Sequence, residues 1–94
     1  MKETHATFQN RVVELAKLKG YKVQYWWKSI HSPMGFPDLY CCKPPYQIFL
    51  ELKIPPDKPK PEQKEWIDLL GKLPNTKALV VYPKDWLLIV LVLK

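Results

Sequence analysis

Two short apolar runs in this 94-residue chain each carry an acid where a core side chain is expected. They are Gly35-Phe36-Pro37-Asp38-Leu39-Tyr40 and Ile48-Phe49-Leu50-Glu51-Leu52-Lys53. Burying an unpaired carboxylate is costly, and a metal ion offsets that cost. Strand side chains alternate, so Glu51 and Lys53 share one face while Leu50 and Leu52 share the other. If the two runs pair as neighbouring strands, Asp38 comes close to both.

Two acids and a lysine at one spot on a sheet suit a divalent cation that activates water against a phosphodiester. Mg²⁺ and Mn²⁺ take oxygen ligands. Asp38 and Glu51 supply carboxylates, and the main-chain carbonyl of Leu52 supplies a third oxygen. Lys53 is placed to hold the attacking water, lower its pKa or neutralise the scissile phosphate. Gln63 can hydrogen-bond the water or a phosphate oxygen.

The elements that must position these groups are legible. Helical spacing of Phe8, Val12, Leu15, Ala16 and Leu18 predicts a helix over about Thr4 to Lys19, with Thr4 as N-cap and Gly20 as stop. His5, Gln9 and Val13 run along one edge of its apolar stripe. Tyr21 to Trp27, Phe36 to Cys42 and Tyr46 to Lys53 read as strands. The last two form an antiparallel hairpin about Lys43-Pro44-Pro45, with Lys28 to Gly35 as a loop before it. Ile54 to Lys60 is a proline-stiffened loop. Pro61 opens a second helix with Gln63, Trp66, Ile67 and Leu70 on one face, ended by Gly71 and Pro74. Lys77 to Tyr82 is a continuous apolar run, as in a buried strand. Asp85 to Leu93 fits either a strand or a short helix, and its apolar character predicts burial in the core or in a subunit interface. The expectation is one α/β domain over residues 1–94, a sheet flanked by helices in the order α-β-β-β-α-β plus the apolar tail.

The formal net charge is +6, with 14 lysines against one arginine. A basic surface attracts polyanions, and scarce arginine disfavours base readout, so nucleic-acid backbone or shape is the expected target. Lys58, Lys60 and Lys64 border one side of the site, and Lys28, Ser29, His31 and Ser32 the other; all are candidates for phosphate contacts. Of Trp26 and Trp27, one should face the core. Adjacent Cys41 and Cys42 point to opposite faces, which disfavours a disulfide, and no ligand spacing suggests zinc. No signal peptide or membrane span is expected, which predicts a cytoplasmic protein.

The ordered Pro37-Asp38 and Glu51-Leu52-Lys53 pattern resembles the PD-(D/E)xK nuclease superfamily. More narrowly, the chain looks like a stand-alone VRR-NUC domain, the virus-type replication and repair nuclease module. The likeness also takes in Phe8-Gln9, Val12-Val13-Glu14-Leu15-Ala16, Gly20-Tyr21, Pro61-Glu62-Gln63-Lys64-Glu65-Trp66 and Leu69-Leu70. It implies a restriction-endonuclease-like core with a mixed sheet, and a Mg²⁺- or Mn²⁺-dependent endodeoxyribonuclease. Asp38 and Glu51 would be metal ligands, Lys53 the catalytic lysine and Gln63 the supporting glutamine. It further implies a homodimer acting on branched DNA such as four-way (Holliday) junctions, from a phage or a bacterial host. One departure stands out: the family's first-helix glutamate is replaced by His5. His5 is a possible imidazole ligand, and nearby Glu3 is the alternative acid. A catalytically weak or inactive junction-binding module is the competing expectation.

Overall fold

A computed structural model of the chain describes residues 2–26 and 34–94. The expected phosphate contacts Lys28, Ser29, His31 and Ser32, and Trp27, lie outside the described residues. Helix α1 spans His5–Leu18, with Thr4 as its N-cap. The Thr4 hydroxyl accepts from the Thr7 N–H, and the Thr7 hydroxyl oxygen in turn accepts from the Thr4 N–H. This reciprocal cap fixes where the helix begins and makes His5 its first residue. Phe8, Val12, Val13 and Ala16 are buried, whereas Leu18, the last residue of the helix, is exposed. Gly20 leaves the helix at φ +92°, a conformation that favours glycine.

Strands β1 (Lys22–Tyr25), β2 (Leu39–Lys43), β3 (Tyr46–Leu52) and β4 (Thr76–Val81) form one mixed sheet in the order β1-β2-β3-β4. β1–β2 and β2–β3 are antiparallel, and β3–β4 is parallel. A parallel neighbour needs a crossover, supplied by α2 (Pro61–Leu70). The tail resolves as a 3₁₀ turn, Pro83–Asp85, followed by helix α3, Trp86–Val92. The result is the α/β architecture expected, a four-stranded mixed sheet flanked by helices, consistent with a restriction-endonuclease-like core. Among the described residues, no helix is long and apolar enough to cross a membrane.

Strand alternation sorts the two faces. Leu39, Cys41, Ile48, Leu50, Leu52 and Val81 form one buried core with α1, Tyr21, Ile89 and Leu93. The opposite face carries Tyr40, Phe49 and Glu51, and an aromatic cluster packs there. Phe36 sits edge-on to Trp26, Phe49 and Trp66, with ring centroids 6.0, 5.9 and 4.9 Å away. Trp26 therefore packs, and its indole donates to the Pro37 carbonyl at 3.0 Å.

Three expectations shift. β2 begins at Leu39, so Asp38 lies just ahead of the strand rather than within it; Pro37 lacks the N–H that a longer ladder would use. β4 is an edge strand and only Val81 in it is fully buried. In α3, Ile89 is buried but Leu87, Leu88 and Leu91 are exposed, because one helix face meets the core and the other does not. Cys41 and Cys42 are free, and burial pushes the Cys41 thiol up to about 12, far from a reactive thiolate.

Gly35 ties the approach to Asp38 onto α2. It holds φ +82°, and a Cβ there would lie 2.7 Å from the Glu62 carbonyl carbon and 2.9 Å from the Gln63 nitrogen. Both the backbone conformation and the space exclude a side chain. Gly35→Ala should therefore destabilise the protein by roughly 2 kcal/mol, read as a lower urea midpoint at unchanged m-value. An unchanged midpoint would show that the turn can lift off α2 freely.

Candidate functional site

The C-terminal end of β3 meets the N-terminal ends of α1 and α2. Parallel α/β units leave a crevice at such strand ends. A cleft of about 390 Å³ opens there, lined by His5, Asp38, Glu51, Leu52, Lys53, Ile54, Asp57 and Gln63. The four residues expected to do chemistry, Asp38, Glu51, Lys53 and Gln63, thus share one cavity.

Glu51 is the most constrained of them. It is 2% exposed. Its Oε2 accepts from Gln63 Nε2 at 2.8 Å and lies 3.5 Å from Lys53 Nζ. Among the described residues, its buried Oε1 has no hydrogen-bond partner. Burial, and then the neighbouring Asp38 charge, push its carboxyl up to about 7, with Lys53 pulling the other way.

Asp38 occupies the first position beyond the ladder. Its Oδ2 accepts from the Leu52 N–H at 2.9 Å, replacing the strand bond that β2 no longer supplies. In an antiparallel ladder the N–H and C=O of one residue face the same neighbour. The Leu52 carbonyl therefore points to the same edge as Asp38, where β2 has ended.

Gln63 is oriented from both ends. Its Oε1 accepts from the Lys60 N–H at 2.7 Å, which leaves its amide nitrogen to donate to Glu51. It acts on Glu51 directly, so only one amide hydrogen remains for a water or phosphate. His5 Nε2 lies 3.3 Å from Asp38 Oδ2, and the imidazole is half exposed. Glu3 is committed elsewhere: it accepts from the Thr7 hydroxyl at 2.6 Å and pairs with Arg11. Of the two candidates for the first-helix position, His5 is the one in the cleft.

Lys58, Lys60 and Lys64 are exposed near α2's start but do not line the cleft. Asp57 does, and sequence reasoning missed it. Its carbonyl accepts from the Tyr82 hydroxyl at 2.8 Å, and its N–H closes a turn onto Ile54. The available signal was its place in a proline-fixed turn four residues past Lys53.

The donor set fits a hard divalent cation. A buried carboxylate oxygen without a partner among the described residues, a second carboxylate beside it and a strand-end carbonyl are all oxygen donors. Among the described residues, no three His, Cys, Asp or Glu side chains group tightly enough to hold a metal by themselves. A cation here would keep several waters, as Mg²⁺ does with one or two carboxylates.

Compared with protein-family models, with curated proteins and with solved structures, the chain matches none.

The Glu51 carboxyl titrates near 7 in the fold against an ordinary 4.5. A carboxyl raised in this way stabilises the fold fully below its unfolded value, and the contribution disappears as pH rises through the folded value. Metal-free protein should thus lose on the order of 3 kcal/mol from this group between acid and neutral pH. Glu51→Gln removes the titration. In urea unfolding with a chelator, the variant should be the more stable protein at about pH 8, and the gap should close by about pH 4. Parallel pH profiles for the two proteins would refute the assignment.

Proposed function

We propose that the protein is a divalent-metal-dependent DNA endonuclease that hydrolyses phosphodiesters, with branched DNA such as four-way junctions as its substrate. The observation that carries this reading is the buried, unpartnered Oε1 of Glu51 beside Asp38 and Lys53 in one cleft. A buried carboxylate oxygen that lacks a partner costs folding free energy, whereas a cation-binding acid needs a free oxygen. The resemblance of the ordered motifs to VRR-NUC modules and the formal net charge of +6 support the same reading.

Asp38, Glu51 and the Leu52 carbonyl would hold Mg²⁺ or Mn²⁺, with His5 adjoining through Asp38. The bound cation supplies Lewis acidity and lowers the pKa of water. Lys53, on the same face as Glu51, neutralises the scissile phosphate or steers the attacking water. Gln63 holds the Glu51 carboxylate in one orientation. The N-terminal ends of α1 and α2 add partial positive charge that favours a phosphate at the cleft. A homodimer would present two such clefts, which suits paired nicks across a junction.

Synthetic four-way junctions, flaps and plain duplex incubated with Mg²⁺ or Mn²⁺ test the proposal. Nicking should appear with metal and vanish with chelator. Asp38→Asn and Glu51→Gln should each lower it by at least about 10²-fold, with the far-ultraviolet spectrum retained. Lys53→Ala should slow cleavage comparably while calorimetric Mn²⁺ binding persists. Intact protein that cuts none of these substrates in either metal would overturn the reading, and junction binding without nicking would favour a binding module instead.

His5 gives a separate handle. Imidazole favours Mn²⁺ over Mg²⁺, so His5→Ala should weaken Mn²⁺ binding more than Mg²⁺ binding in calorimetry. Equal losses for the two ions would remove His5 from the metal's surroundings.

A further inference from the structure

The first turn of α2 carries more than Gln63. The turn of Met34 and Gly35 is pressed against it, and two exposed lysines, Lys60 and Lys64, flank it. Met34 is 78% exposed. Such exposure of a long apolar side chain is normal on a loose loop, but this turn is held by its contacts with α2 and by Phe36 after it. A Cβ on Gly35 would lie 2.8 Å from Glu62 Cβ, so the main chain is already in contact with α2. The Trp66 indole donates to the Met34 carbonyl at 3.2 Å. Phe36, two residues on, is held edge-on by Trp26, Phe49 and Trp66.

Among the described residues, Trp26 is also partly exposed but packs on Phe36, Tyr46 is at the far end of β3 from the cleft, and the remaining large exposed apolar groups stand elsewhere. Leu87, Leu88 and Leu91 are on α3 and Leu18 ends α1, behind the opposite face of the sheet. Leu69 and Leu73 lie at the far end of α2 and just beyond it. Met34 is seated against the turn of α2 that bears Gln63, Lys60 and Lys64.

We propose that Met34 is a specificity-determining wedge, which enters an unstacked base step at a DNA branch point while Lys60 and Lys64 hold the adjoining phosphates. Proteins that kink DNA insert apolar side chains, methionine among them, between base steps, and the cost falls where bases are already unstacked. A four-way junction or flap offers such a step, and continuous duplex does not. The rigid mount keeps the wedge at a fixed offset from Gln63, so that the phosphodiester presented to the cleft lies at a set distance from the branch. This proposal rests on the DNA-endonuclease reading and deepens it.

The test uses binding without cleavage, in the presence of chelator. Four-way junctions carry 2-aminopurine at the branch point, and plain duplex of the same sequence is the reference. Native protein should raise the junction fluorescence on binding. Met34→Ala should abolish the rise and lower the ratio of junction to duplex affinity by about tenfold, equivalent to about 1.4 kcal/mol. Met34→Leu should restore most of both. A native protein that binds with no rise, or an alanine variant with unchanged fluorescence and ratio, would overturn the wedge. Absence of nicking by native protein in Mg²⁺ or Mn²⁺ would instead count against the nuclease chemistry, whatever the fluorescence shows.

Discussion

The structure turns on one buried carboxylate. Glu51 sits on an interior strand with one oxygen held by Gln63 and Lys53 and the other, among the described residues, without a partner. In a domain this small, an unpaired buried oxygen is a sizeable fraction of the net stability. The neighbouring groups limit that cost without abolishing it. Leu50 and Leu52 anchor the strand from the other face, and the amide of Gln63 fixes the side chain in place.

Topology explains why those neighbours are present. A parallel β3–β4 pair requires a crossover, and α2 is that crossover. It packs on the Glu51 face and starts where β3 ends, so its first turn falls beside the acid. Across the sheet, α1 is set by the Thr4 cap so that its first residue reaches Asp38. The residues immediately ahead of Asp38 are held in place, because Gly35 is seated on α2 and Phe36 is surrounded by aromatic rings. The cleft is thus assembled from two helix starts and one strand end, each with a separate anchor.

Much of this was legible in the sequence. The hairpin, the two capped helices and the grouping of Asp38, Glu51, Lys53 and Gln63 follow from alternation, from prolines and from a Thr cap, all of them local signals. What was not legible depends on contacts between distant segments. The α3 segment is apolar throughout, so its pattern could not choose between helix and strand, nor say which leucines would meet the core. Asp57 enters the cleft through a hydrogen bond to Tyr82, twenty-five residues away. The orientation of Gln63 depends on an N-cap N–H, which composition does not reveal. That His5 rather than Glu3 lines the cleft depends on Arg11 and Thr7, which draw Glu3 aside.

Asp38 and Glu51 are under different pressures, although they sit side by side. Asp38 closes the end of the hairpin by accepting the Leu52 N–H, so folding alone is a reason to keep an oxygen acceptor there. Glu51 makes no main-chain bond of that kind; its partners are the Gln63 amide, which a neutral amide would also satisfy, and the Lys53 ammonium, itself part of the same cleft. A lineage that drifted free of any selected chemistry would therefore shed the acid at position 51 first and retain the one at 38. The order in which the two are lost among descendants would date the loss of activity separately from any loss of fold.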